Sequence, residues 1–333
     1  MTSWLEQFKF DPISPLLNAG DPALEFFTRR DLLGEAALPI EAIWQLPEAR
    51  RILRKQLPDG SWPRSGEQKH PAVNYSLIET WRQLRYLVEK YGMTRQHPQI
   101  ERAVEFVLSC QSPQGDLRGI LANQYATYYT GAILSLLIQA GYVDDPRIEK
   151  CFDWLLAMRQ EDGGWTIPLL THQLDRAAIY RLTSEYVQPL EPDRTRPFSH
   201  NWTGMVLRAF AAHPRYRHSS AAWTAGKLLK SRFFQPDSYT SYRSAGYWLR
   251  FEYPFWWNNL LTALDSLGKL GFTSQDEQIR SGLQWFVDHQ QENGLWKDSY
   301  ARVTGHQRPS RSDRQLWVSL AICRVFKANW EWL

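Results

Sequence analysis

At 333 residues with a formal net charge of +4, the chain is long enough to bury a large core and too weakly basic to point to nucleic acid. Its 22% charged and 43% hydrophobic residues fit neither a disordered nor a membrane-spanning chain, and its longest nearly apolar run, residues 131–142, is too short to cross a bilayer. Three scattered cysteines without a Cys-x-x-Cys pair argue against a zinc ribbon or a redox dithiol.

In chain order, Asp21-Pro22 opens a first helix over residues 23–33, with Asp at the N-cap and Pro at the first helical position, and residues 3–10 form its outer partner. A phrase then recurs: Gln56-Leu-Pro-Asp-Gly60-Ser-Trp62, Gln111-Ser-Pro-Gln-Gly115-Asp-Leu117, Gln160-Glu-Asp-Gly163-Gly-Trp165 and Gln290-Gln-Glu-Asn-Gly294-Leu-Trp296. A degraded copy lies at Gln235-Pro-Asp-Ser-Tyr239. Each phrase ends an amphipathic stretch; Ile148, Cys151, Phe152 and Leu155 lie on one stripe before the third. The glycine suits a left-handed helix stop. More apolar helices follow over residues 71–91, 125–140, 201–212, 255–270 and 313–327. Outer, half-exposed helices thus alternate with inner, buried ones. The predicted architecture is all-α, six helix hairpins in one domain over residues 1–333, with an insertion over residues 171–198. Uniformly apolar inner helices favour closure into a ring over an open superhelix.

The Gln-x-x-(Asp/Asn)-Gly-x-Trp phrase resembles the QW repeat of squalene-hopene cyclases, oxidosqualene cyclases and protein prenyltransferases. The resemblance spans about residues 40–330 and implies an α/α toroid, with six parallel inner helices ringed by six antiparallel outer ones. It also implies that Gln56, Trp62, Gln160, Trp165, Gln290 and Trp296 fasten neighbouring helices. The catalytic signatures of those relatives are absent: no Asp-x-Asp-Asp, no Asp-Asp-x-x-Asp, and no matching set of zinc ligands. No cofactor and no metal are therefore expected.

In such a ring the inner helix N-termini gather at one rim, where free N–H groups and a partial positive charge suit an anion. Polar and aromatic residues concentrate at these starts: His70, Asn74 and Tyr75; Tyr125, Tyr128 and Tyr129; His200 and Trp202; Tyr253, Phe255, Trp256, Trp257 and Asn258; Arg311 and Arg314. This mixture fits a π-rich pocket with a few polar handles, able to stabilise a cation. Asp313 and Glu252 are the carboxylates placed to act as a general acid, while an N-cap or ion-pair role is the plainer alternative for Asp313. Trp256 and Trp257, read as adjacent helical residues, cannot both face the lumen. The insertion would lie over the same rim, as a lid or as a tolerated surface loop.

The resemblance implies an isoprenoid-handling enzyme of the cyclase or prenyltransferase type, with a polyprenyl substrate and proton-initiated cyclisation. Two alternatives stay open: a non-catalytic toroid binding a hydrophobic ligand or a protein, and a glycan-acting toroid. The partner is a hydrophobic small molecule and not nucleic acid, with peripheral membrane contact compatible with such a ligand. The N-terminus lacks the basic-then-apolar plan of a signal peptide, so a cytoplasmic location is expected.

Overall fold

The computed structural model describes residues 4–35, 38–239, 243–301 and 312–330. Six inner helices are described: Pro22–Phe27, Tyr75–Arg85, Thr127–Gln139, His200–Ala212, Leu260–Lys269 and Ser312–Trp330, here the first to sixth. The first and second run on through π-helical turns, Thr28–Leu33 and Tyr86–Lys90. Outer helices Pro47–Leu53, Pro98–Ser109, Pro146–Ala157, Ser220–Lys230 and Glu277–Asp288 precede the second to sixth.

Local chemistry sets these boundaries. Pro47, Pro98 and Pro146 open outer helices, where a missing N–H leaves no bond unmade, and Asp145 caps the last of these by accepting from Arg147 N. Inner helices are capped by Asn74, Ser199 and Asn259, each accepting from a backbone N–H one turn on. In Thr127–Gln139 eleven of thirteen residues are buried, so this helix is wrapped on every side. Gly131 lets it approach the fourth inner helix, because a Cβ there would sit 2.6 Å from Val206 Cα.

The recurring phrases are joints. Trp62, Trp165 and Trp296 each donate Nε1–H to a carbonyl ten residues back, on Ile52, Leu155 and Phe286, at 2.7–2.8 Å. Their backbone N–H groups reach hydroxyls on the inner helix that follows, Thr80, Thr203 and Ser319. Leu117 repeats the second contact with Thr130. The glutamines reach onward. Gln56 donates to Gln99 O and Gln111 to Arg147 O, each at the start of the next outer helix. Gln160 donates to Asp193 O and Arg196 O in the insertion.

The last glutamine closes the circle. Gln290 donates to Phe10 O at 2.9 Å and accepts from Lys9 N and Phe10 N, tying the fifth junction to the N-terminal segment. Alongside, Arg324 pairs with Asp31 at 2.5 Å and Lys327 donates to Asp31 O, so the sixth inner helix packs on the first. The expected all-α toroid is the observed fold; no β-strand, only isolated bridges such as Gln111 with Leu117, is found among the described residues.

Three local expectations change. The N-terminal outer helix is a 3-10 turn, Trp4–Gln7, followed by Ile13–Leu17. The degraded junction recruits Trp248, whose Nε1 donates to Gln235 O at 3.1 Å, thirteen residues back rather than ten. Finally, the inner starts do not share one level. Lys90 Nζ, from the last turn of the second helix, lies 3.7 Å from Asp21, which caps the first, and 3.9 Å from Asp313 at the start of the sixth. The first and sixth helices therefore begin deep along the second, whose Tyr75–Lys90 run spans roughly 20 Å at 1.5 Å per residue.

Candidate functional site

The fifth inner helix starts at Leu260, where Asn259 and Thr262 form a reciprocal capping box, and not at residue 255. The residues just before it instead run as irregular chain into the ring. Backbone polar groups carried inside a helical barrel need partners, and three charged side chains supply them. Arg85 reaches Pro254 O at 3.5 Å, and Arg208 donates to Trp256 O at 3.2 Å. Glu89 accepts from Phe255 N at 3.2 Å, while Tyr253 OH donates to Glu89 O at 2.9 Å. Arg208 also pairs with Glu89 at 3.4 Å, across from the second helix to the fourth.

Above this latch the rings pack on one another. Tyr128 stacks on Trp202 with centroids 4.1 Å apart, Trp256 meets Trp81 at 4.2 Å, and Trp257 meets Trp256 at 4.7 Å. Tyr129 stacks on Trp256 at 5.2 Å. Off the helix, Trp256 and Trp257 are freed from the 100° rule, and both rings lie 6.2 Å from Tyr128. Arg85 sits over Trp81 at 4.4 Å, so this aromatic box already holds a cation.

Open space lies further along the axis. A cavity of about 640 Å³ is lined by the later turns of other inner helices, with Val88, Glu89, Ile138, Arg208 and Val325, by the fifth from its first turn at Leu261, and by Tyr253 and Phe255. Its apolar surface is interrupted by ion pairs: Glu89 with Arg208, Asp265 with Lys269, and Asp31 with both Arg30 and Arg324. Burial raises the Glu89 pKa above the ordinary glutamate value of 4.5, outweighing the pull of Arg208, Arg85 and the Phe255 N–H. A carboxyl whose pKa is raised by burial in a cavity wall is of the kind that serves as a general acid.

The residues expected from sequence fall into separate places. Tyr128, Tyr129, Trp202, Trp256 and Trp257 form the packed ring cluster, and only Tyr253 and Phe255 of the expected set line the cavity. The expectation of one hollow walled by all these rings is thus corrected: Tyr128, Tyr129, Trp202, Trp256 and Trp257 pack on one another instead of lining the cavity. Tyr253 stacks on Trp317 at 5.1 Å. Asn258 wedges against Gly204 and donates to His200 O. His200 stacks on Trp248, 3.7 Å from Asp237, and burial lowers its pKa to about 4.

His70 meets Tyr180 of the insertion edge-on at 5.3 Å, and Tyr125 OH donates to Leu190 O at 2.7 Å. Residues of the insertion therefore lie across the starts of the second and third inner helices. Asn74 is an N-cap, and Tyr75 lies under Arg64. The two expected acids are away from the cavity lining. Asp313 is 63% exposed beside Lys90, and Glu252 is 43% exposed in a pair with Arg250 at 3.0 Å. Arg314 is half-buried in the first turn of the last helix, and Arg311 lies outside the described residues. Among the described residues, no group of three or more His, Cys, Asp and Glu is placed to hold a metal ion, and no helix is long and apolar enough to cross a membrane.

Sequence reasoning passes over Glu89, Arg208, Asp31 and Arg324. The signal available for them is a single charge breaking an otherwise apolar inner helix, as Arg208 does within Met205-Val-Leu-Arg-Ala-Phe210.

Residues 72–177 match the squalene-hopene cyclase C-terminal domain family. The squalene–hopene cyclase of Bradyrhizobium diazoefficiens is 34% identical over 73 residues, which is 22% of this chain and 11% of that enzyme, so the chain matches about a ninth of its relative's length. Among solved structures, a protein from Actinoplanes aligns over 87% of both chains at 16% identity with a TM-score of 0.43. A variant of the type II terpene cyclase MstE from Scytonema, in complex with geranylgeranyl dihydroxybenzoate, aligns over 99% of both chains at 13% identity with a TM-score of 0.48. The similarity to squalene-hopene cyclases thus lies within one part of the helical ring, residues 72–177 for the family model.

Proposed function

We propose that the chain is an isoprenoid-handling enzyme that takes a polyprenyl chain into the 640 Å³ cavity and starts its cyclisation by proton transfer. The volume lies within the range of roughly 300–1,000 Å³ common to small-molecule sites. The observation that carries the reading is Glu89, a buried carboxyl with raised pKa in the cavity wall, beside Phe255 and Tyr253. Asp313 and Glu252, exposed and ion-paired, are replaced by Glu89 as the proposed acid.

The step balances without a cofactor. The Glu89 carboxylic acid gives its proton to one carbon of a terminal alkene, whose π pair forms the new C–H bond. The resulting carbocation is attacked by the next alkene, closing a ring. A carbon next to the final cation then loses a proton to the Glu89 carboxylate, which restores the acid and leaves a new double bond. Phe255 and Tyr253 face the developing charge with their rings, each worth about 0.5–2 kcal/mol to a cation. The exposed Ile179, Tyr180 and Tyr186 of the insertion would let a poorly soluble substrate be collected from a membrane surface.

The test is incubation with farnesol and geranylgeraniol, followed by mass-spectrometric product analysis. Wild type should form cyclic products; Glu89→Gln should lose activity by at least about a hundredfold. Asp313→Asn and Glu252→Gln should stay within about twofold. Full turnover by Glu89→Gln would overturn the assignment.

A second reading is favoured by the ion pairing of Glu89 with Arg208, which opposes protonation, and by the self-filled ring cluster. On that reading the ring binds an isoprenoid without converting it, and incubation returns the ligand unchanged from a stable complex.

A further inference from the structure

The cavity's charges are unevenly placed. At its inner end Glu89 and Arg208, 11% and 13% exposed, lie against one another at 3.4 Å next to Phe255. At its opening the balance is different. Asp265 answers Lys269 at 2.7 Å, both about half exposed. Asp31 is shared by two guanidinium groups, Arg30 and Arg324, each at 2.5 Å, and both lie over the Phe27 ring. One carboxylate cannot neutralise two guanidinium charges. Arg217, also in the lining, donates Nε–H to His218 and has no carboxylate partner among the described residues. The exposed end thus holds four cations, Arg30, Arg217, Lys269 and Arg324, against two carboxylates, Asp31 and Asp265, an excess of two. Inner helix C-termini favour cations and account for some basic residues here. They do not account for an excess that rims an apolar hollow, where low-dielectric walls concentrate the field on whatever enters.

We propose that the ligand is an amphiphilic anion rather than a neutral hydrocarbon. Its carboxylate or phosphate head is held at the opening by Arg217 and the surplus guanidinium of the Arg30–Asp31–Arg324 group. Its apolar chain runs inward along Val88, Ile138 and Leu261 toward Phe255. Guanidinium groups suit either head, since both accept paired N–H bonds. The proposal rests on the cavity being the isoprenoid site, and it adds a direction: the head stays near solvent, and the far end of the chain is delivered to Glu89.

The experiment titrates the full chain with farnesol, farnesoic acid, farnesyl monophosphate and dodecyl phosphate, followed by calorimetry. At least one anionic farnesyl ligand should bind about tenfold more tightly than farnesol, and that advantage should shrink at about 0.5 M salt. Arg217→Gln should weaken the anions about threefold to tenfold and leave farnesol unchanged. Which of the two anions binds tighter identifies the head. Farnesol binding as tightly as both anions overturns the head-group assignment and leaves the isoprenoid reading standing. Dodecyl phosphate binding while no farnesyl ligand does keeps the head-group site and overturns the isoprenoid reading. No binding by any of the four overturns both.

Discussion

Glu89 and His200 make opposite contributions to stability as pH changes. The Glu89 carboxyl is harder to ionise in the folded chain than in the unfolded one, so its stabilising contribution is full below pH 4.5 and is lost as pH rises through its folded value. Glu89→Gln keeps an acceptor for Phe255 N, and we expect it to abolish that loss in thermal unfolding followed against pH. His200 has the reverse sign. Its pKa falls from 6.5 to about 4, chiefly through burial, with Asp237 opposing and Arg232 assisting. Its contribution is present above pH 6.5 and disappears as pH drops through 4. His200→Phe preserves the stack on Trp248 and should remove this acid sensitivity, a change on the order of 2 kcal/mol between pH 6.5 and 4. The two windows overlap, so wild type alone shows only their sum. Each variant-minus-wild-type curve isolates one group, and a flat difference for either would contradict the burial assigned to it.

Single junctions decide how neighbouring hairpins hold together. Gln290 makes hydrogen bonds to Phe10 O, Lys9 N, Phe10 N and Gly294 O, four backbone groups that Gln290→Ala would strand. The expected loss is about 2–4 kcal/mol in denaturant unfolding, at roughly 1 kcal/mol per bond. Gly131→Ala forces a Cβ onto the fourth inner helix and should destabilise by about 1–3 kcal/mol. A loss below about 0.5 kcal/mol would mean that the helices part without strain. These joints are legible from sequence because their geometry is local and repeated: a Trp finds its carbonyl ten residues back each time. The fourth junction, at Gln235, hides because Trp248 does the same work at a spacing of thirteen. Glu89, Arg208 and Asp31 hide for a different reason. They sit on three helices far apart in sequence, and no spacing relates them until the ring has closed. The chain before Leu260 reads as helix from its apolar residues, yet Asn259 and Thr262 cap later, and the rings go into the lumen.

The whole ring depends on a seam between the first and sixth inner helices. Arg324 with Asp31, Trp317 Nε1 with Asp21, and Gln290 with Phe10 all cross it, linking residues about 280–296 positions apart. Removing residues 1–20 should therefore loosen the far end of the sequence selectively. Amide exchange in Ser312–Trp330 is expected to quicken by at least about tenfold while Thr127–Gln139 stays protected; equal acceleration in both would show that the seam is not a separate unit. The middle helices close their own contacts as they are made, each with its immediate neighbour. The seam is otherwise. During synthesis the first helix can find its mate only after some three hundred further residues have left the ribosome. Until then its greasy flank, Leu24 and Phe27 included, stands uncovered, which makes the newborn chain a client for whatever in the cell shelters such surfaces.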